Sequence, residues 1–247
     1  MFRGTPVIAP KDIPKDAIIA VSSRKHFDSI QKDLLELDFH QEQIHLFNFW
    51  NTDILNENQY FDMNFMLPQH ESLFIDGGCF DCDTITKFIN WNTDFGYDGI
   101  IAFEPEPSNF TLCTNKSPEL GDNIRIINAG LSSKQGKMAF TVEKGAASAF
   151  NEDEDGEILP LTTIDDELCG KKVSFIKLDV EGFELAALQG ATETIKNHKP
   201  RIACCVYHKC EDLIDIPLLL CTLSNEYKFY LRMYTNKYCE IVLYAVC

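Results

Sequence analysis

The chain is predicted to be an α/β protein: a mostly parallel sheet flanked by helices, closed by an antiparallel hairpin and preceded by a small β-α-β unit. Three observations carry this expectation. From residue 73 onward short apolar runs alternate with amphipathic segments, the pattern of strands joined by crossover helices. The first run ends in Asp76-Gly77-Gly78 and leads into a helical segment, so it reads as strand, tight turn, helix. The last two runs are separated only by residues 235–239, too few for a parallel crossover, so they are expected to pair antiparallel.

Taken in order, residues 1–50 form the N-terminal α/β extension. Within them, residues 16–23 read as a strand, Phe27, Ile30, Leu34 and Leu37 recur at helical spacing, and residues 44–47 suit a second strand. Residues 51–71 are rich in aromatics, Asn and Asp without a clean period, and are expected to be a linker or covering segment over the next domain. Residues 72–247 are the main domain. Seven strands are expected there, at 73–76, 99–103, 124–128, 173–180, 202–207, 228–234 and 240–246. Helical patterns lie between them at 84–91, 108–116, 183–196 and 211–223. Residues 137–142 read as an edge strand and 146–155 as a loop, an insertion over the ligand side where a crossover helix would otherwise stand.

Composition narrows the function classes. With 45% apolar and 24% charged residues among 247, a well-buried core is expected. No apolar run approaches the roughly 18 residues of a membrane helix, so no membrane span is expected. The stretch MFRGTPVIAPKDIPKD lacks a basic start followed by an apolar core, and a cytoplasmic location is the expectation. The 22 Lys and Arg against 38 Asp and Glu leave a net charge of −16, which argues against nucleic acid as a partner. Most of the ten cysteines, Cys113, Cys204, Cys205, Cys221 and Cys247 among them, sit in or beside apolar runs, as reduced core thiols do.

The residues that could carry chemistry gather at predicted strand ends. The Asp76-Gly77-Gly78 turn admits a ligand close to backbone, because glycine has no Cβ, and a helix start capped by Asp83 or Thr84 aims free N–H groups at the same place. Glu104 ends the second strand beside that turn, where a carboxylate can accept both hydroxyl hydrogens of a ribose. Asp179 and Glu181 end the fourth strand and His208 the fifth. Together they could position a nucleophile, remove its proton or hold a cation, although singly each reads as a loop residue or a helix-start charge. Cys79-Phe80-Asp81-Cys82 has the spacing of a redox pair, yet the glycines before it and Glu104 after it fit a cofactor turn better. Residues 151–158 imitate half of a calcium loop but lack the acidic twelfth position.

The segments DGGCFDCDT, FEPEPSNF, LPLTTIDDEL and FIKLDVEGFELAALQGATETI, in that order, resemble the FkbM family of S-adenosylmethionine-dependent methyltransferases. The resemblance spans about residues 72 to 246, and KLDVEGFEL is its most specific part. It implies the class I, Rossmann-like methyltransferase fold with S-adenosylmethionine over the first two strands. It also implies methylation of a hydroxyl oxygen on a small molecule or glycan. By matched position, Asp76, Gly77 and Gly78 are the first cofactor motif and Glu104 the ribose acid. Asn128, Ala129 and Gly130 end the third strand, where the adenine would lie. Lys177, Asp179, Glu181, Gly182 and Glu184 match the LDVEG signature. Under this reading His208, with an unperturbed pKa near 6.5, is the expected base, and Asp179 orients the acceptor or the cofactor's sulfonium. The match departs at Cys82, where the family has glycine; a side chain there is expected to crowd the methionine part of the cofactor. A nicotinamide-dependent oxidoreductase is the enzymatic alternative, against which the turn lacks G-x-G-x-x-G. A non-catalytic binding or scaffold module is the other.

Overall fold

The structure, a computed structural model, describes residues 9–17, 19–21, 27–46, 59–62, 64, 66–142, 148–151, 157–168, 170–234 and 240–247. The chain divides into two compact units, Met1–Asp53 and Ile54–Cys247. In the first, β1 (Ile19–Val21), α1 (Phe27–Glu36) and β2 (Ile44–Leu46) make one crossover with the two strands parallel. Leu34, Phe39 and Ile44 form its small core.

The second unit begins its regular structure with β3 (Glu71–Gly77), α2 (Asp83–Trp91), β4 (Tyr97–Phe103), α3 (Pro107–Leu120) and β5 (Ile124–Ile127). There follow β6 (Gly130–Leu131), β7 (Gly136–Val142), β8 (Ser148–Asn151), β9 (Glu157–Thr162) and α4 (Ile164–Leu168). The chain then returns through β10 (Phe175–Leu178), α5 (Glu184–Gln189), α6 (Thr192–His198), β11 (Arg201–Cys205), α7 (Asp212–Leu223), β12 (Lys228–Met233) and β13 (Ile241–Val246). Seven of these strands make one sheet in the order β12-β13-β11-β10-β3-β4-β5, parallel except that β13 runs antiparallel to both neighbours. The strand order reverses between β3 and β10, which is where open α/β sheets bind ligands.

Both faces of this sheet are buried, and the side-chain alternation shows it. Leu73, Ile75, Ile101, Phe103, Ile176, Leu178, Ile202 and Cys204 enter one core with residues of α4 to α7. Their sequence neighbours Phe74, Ile100, Ala102, Phe175, Ala203 and Cys205 enter the other with Ile85 and Phe88 of α2 and Cys113 of α3. A strand covered on both faces needs apolar residues at consecutive positions, which is why these runs are continuous rather than alternating. Tyr60, Phe61 and Met66, from the segment expected to be a linker or covering segment over this domain, are core residues of the second face, with the Phe61 ring edge-on to Phe74 and Phe175.

Several local expectations are corrected. Residues 148–151, expected in a loop, are β8, and residues 157–162, not expected as a strand, are β9; with β6 and β7 they form a second sheet ordered β6-β9-β7-β8. Pro160 is tolerated in β9 because β6 pairs only with Leu161 and Thr162, leaving the proline beyond the end of that ladder. The centre of the calcium-loop imitation and the tip of the insertion fall on residues 143–147 and 152–156, outside the described residues. The single helix expected over 183–196 is broken into α5 and α6 at Gly190, where a Cβ would collide with the Ser132 carbonyl oxygen. Neither Asp83 nor Thr84 caps α2: the N-cap is Cys82 in left-handed backbone, and Asp81 accepts the Asp83 N–H at 3.0 Å. Among the described residues, no helix is long and apolar enough to cross a membrane.

Candidate active site

The glycine turn is held from beneath by a lysine. Register puts Lys177 of β10 opposite Asp76 of β3, and both side chains are buried. The Lys177 ammonium lies 3.0 Å from Asp76 Oδ1 and donates to the carbonyls of Gly77 at 3.1 Å and Gly78 at 2.8 Å. Burial works against the Lys177 charge, but the carboxylates of Asp76 and Asp179 raise its pKa overall; burial likewise pushes Asp76 up against the pull of Lys177. Gly78 has φ +76, and a Cβ there would strike the Asp179 carbonyl oxygen, so this position requires glycine. The amides of the turn itself are engaged: those of Gly78 and Cys79 both donate to Phe103 O, and that of Phe80 to Glu104. The Gly77 and Gly78 carbonyls are engaged by Lys177, so of this turn and its flank it is the Glu104 carboxylate that keeps acceptor capacity for a ligand.

Glu104 follows β4 and is 5% exposed. Its Oε2 accepts from Phe80 N at 2.9 Å and its Oε1 from Glu106 N at 3.0 Å, leaving each oxygen a further lone pair for one hydroxyl of a diol. Burial raises its pKa to about 7 against the pull of those two amides. Asn128 donates its side-chain amide to the carbonyls of Glu104 at 2.9 Å and Pro105 at 3.0 Å, which fixes the loop that carries the acid. Ala129 is buried, and Gly130 begins β6 in register with Leu161.

Asp179, Glu181 and His208 do converge, and Glu184 joins them. His208 Nδ1 lies 2.8 Å from Glu184 Oε1, and Nε2 lies 3.1 Å from Glu181 Oε2 and 3.7 Å from Asp179 Oδ1. Glu184, fully buried at the start of α5, also accepts the Val180 N–H at 2.9 Å. Burial disfavours the imidazolium, but contacts with Glu181 and Glu184, and the charge of Asp179, outweigh it and raise the pKa to about 10. This environment favours the protonated ring, in contrast to the unperturbed imidazole near 6.5 that the expectation of a base assumed. Two hydroxyls fix Asp179, Tyr60 on Oδ2 at 3.0 Å and Tyr207 on Oδ1 at 3.2 Å.

The donor set fits the implied cofactor. A buried carboxylate with lone pairs to spare stands beside a turn whose Gly78 backbone has no Cβ, and the side chain expected to obstruct it does not: Cys82 is 1% exposed, with its sulfur inside the second core. The φ of +67 at Cys82 explains why glycine suits the position, for reasons of backbone rather than ligand space. Asp179, Glu184 and His208 also offer three donor atoms within 4.8 Å of one another. A cation there would have to displace the proton that the carboxylates hold on the imidazole. Sequence reasoning missed Lys177 as the anchor of the turn, although a lone lysine inside an apolar strand is a readable signal. It also missed Tyr60, whose partner Asp179 lies too far along the chain for any local pattern to connect them.

Comparison with known proteins accords with this geometry. Residues 79–229 match the family model described as the methyltransferase FkbM domain. A hexuronic acid methyltransferase, AglP, from Haloferax volcanii is 31% identical over 103 residues, covering 40% of this chain and 43% of that protein. The crystal structure of a methyltransferase FkbM from Methylobacillus flagellatus superposes with a TM-score of 0.64 at 23% identity, covering 76% of this chain and 47% of its own. In both cases the match spans less than half the relative's length, and the second shows likeness of fold. Since the family match runs over more than half of its 247 residues, the chain belongs to the FkbM methyltransferase-domain family.

Proposed function

We propose that this protein transfers a methyl group from S-adenosylmethionine to a hydroxyl oxygen of a glycan or other small-molecule acceptor. The observation that carries the reading is the meeting, at the carboxyl ends of β3, β4 and β10, of the Glu104-flanked glycine turn with the Asp179–His208 cluster. When bound, the cofactor supplies a methyl group already activated on a sulfonium. Glu104 would accept the ribose hydroxyls, and Lys177 keeps the turn in shape beneath it. Asp179, oriented by Tyr60 and Tyr207, is the residue that takes the acceptor's hydroxyl hydrogen bond and then its proton. His208, held as an imidazolium, limits the repulsion among Asp179, Glu181 and Glu184 and fixes their positions. Alignment of two bound reactants can contribute about 7–11 kcal/mol and a positioned base about 10²–10⁴-fold, so positioning lowers the barrier more than proton removal does.

Similarity to a protein named for hexuronic acid supports a glycan acceptor. Three carboxylates around one imidazolium leave the cluster net negative, which favours a neutral hydroxyl over an anionic carboxylate acceptor. Isothermal titration with S-adenosylmethionine, with NADH as control, tests the first half. Binding of the sulfonium cofactor, weakened at least about tenfold by Glu104→Ala, is expected, the loss of one charge-assisted contact being about 1.5–3 kcal/mol. Binding of neither would favour a non-catalytic module. Methyl-labelled cofactor offered with neutral and uronic glycans tests the second half. A methyl ether that survives alkali is expected, whereas an alkali-labile ester would move the reaction to a carboxyl oxygen.

A further inference from the structure

The turn after β3 contributes Cys79 and Cys82, and the middle of α3 contributes Cys113. Their three sulfurs lie within 4.8 Å of one another, and the residues are 2%, 1% and 0% exposed. Cys79 Sγ is 3.6 Å from Cys113 Sγ, and the Cys113 thiol donates to the Phe80 carbonyl at 3.1 Å. All three side chains belong to the second core, yet the backbone at position 82 favours glycine over any residue with a side chain. Cys82 is held at φ +67 and Phe80 at φ +48, conformations that cost a residue with a Cβ free energy and that glycine would relieve. What cysteine adds at position 82 is the third sulfur. Around a metal with bonds of about 2.3 Å, three thiolates sit roughly 3.8–4.0 Å apart, a spacing these sulfurs reach with small side-chain shifts.

We propose that Cys79, Cys82 and Cys113 bind one thiophilic closed-shell ion, Zn²⁺ or Cu⁺, that ties the glycine turn to α3. Each thiol releases a proton as its sulfur bonds the metal, and nothing is oxidised or reduced. Three sulfurs satisfy Cu⁺ by themselves, whereas Zn²⁺ requires a fourth donor, for which the Phe80 carbonyl stands beside Cys113. The enclosure of all three sulfurs means that the ion enters during folding or through an opening of the turn.

The full chain, reduced and grown in separate zinc-supplemented and copper-supplemented media, is dialysed against a competing chelator. Metal content is then measured by mass spectrometry and its ligands by X-ray absorption. About one ion per chain with sulfur ligation is expected, together with a melting temperature several degrees above that of the stripped protein. Affinity should fall by more than about tenfold in Cys82→Gly and in Cys113→Ser, since altering even indirect partners of a metal costs that much. It should be unchanged in Cys210→Ser, Cys221→Ser and Cys247→Ser, whose thiols are exposed. Cys82→Gly keeps the test readable, because glycine adopts φ +67 freely and offsets part of the small cavity it leaves in the second core, and the stripped wild type and stripped variant are compared so that metal retention is separated from folding. Failure of the reduced wild-type chain to retain either ion would overturn the site, as would equal retention by Cys82→Gly and Cys113→Ser. None of these readouts involves methyl transfer, so the result is independent of the proposed function.

Discussion

His208 would titrate near 6.5 as a free side chain, yet it stands among Glu181, Glu184 and Asp179 and its pKa rises to about 10. The sequence shows that these residues end adjacent strands, but not that two carboxylates would approach both ring nitrogens. Glu181 and Gly182 between them adopt φ +52 and +91, and Glu184 Oε1 beyond this turn lies 2.8 Å from Nδ1. Because the folded-state pKa lies above the unfolded one, the stability this charge contributes is complete below about pH 6.5 and is lost as pH rises through about 10. Urea unfolding of wild type and His208→Gln between about pH 6 and pH 11 should therefore show a stability gap that is widest at the acid end and narrows through pH 10. A gap that does not change with pH would mean that the folded protein leaves the imidazole unperturbed, and His208 would return as a candidate base.

The strands of the large sheet were legible because burial on both faces demands unbroken apolar runs, and β3, β4 and β11 contain them. Of the second sheet, β7 was legible as the strand expected over 137–142, although it lies between β9 and β8 rather than at an edge. The strands β6 and β9 were not, because β6 is two residues long and β9 carries a proline, and each is defined by its partners rather than by its own composition. The α5–α6 break was hidden for a related reason: only the neighbouring backbone at Ser132 makes Gly190 obligatory. Between β10 and the turn after β3, Lys177 meets the Asp76 carboxylate and two carbonyls at once. Replacing it with methionine leaves Asp76 charged, buried and uncompensated, a loss of about 3–5 kcal/mol. Lys177→Met should shift the urea midpoint accordingly, and adding Asp76→Asn should restore much of the loss by removing the stranded charge. No recovery in the double variant would mean that the two carbonyl contacts, rather than the ion pair, stabilise the turn.

At the scale of the whole molecule, the two units differ in what stabilises each. Among the described residues the first unit has a two-stranded sheet of three-residue strands and a core of Leu34, Phe39 and Ile44, and a two-stranded sheet on so small a core is marginal by itself. The second has two cores on a seven-stranded sheet, and every proposed site residue lies in it, including Tyr60; the boundary between the units falls after Asp53, within the covering segment near its start. A chain of residues 54–247 should therefore fold alone, with one cooperative urea transition and cofactor affinity within about twofold of the full chain, while residues 1–53 alone should show none. Truncation at residue 72 should do worse, because it removes Phe61 and Met66 from the aromatic core and Tyr60 from Asp179. Loss of one or two fully buried side chains of this size costs about 3–5 kcal/mol each, a large part of a domain's stability of about 5–15 kcal/mol. If residues 72–247 instead matched 54–247 in both stability and affinity, the covering segment would be dispensable and the hydrogen bond from Tyr60 would have no part in positioning Asp179.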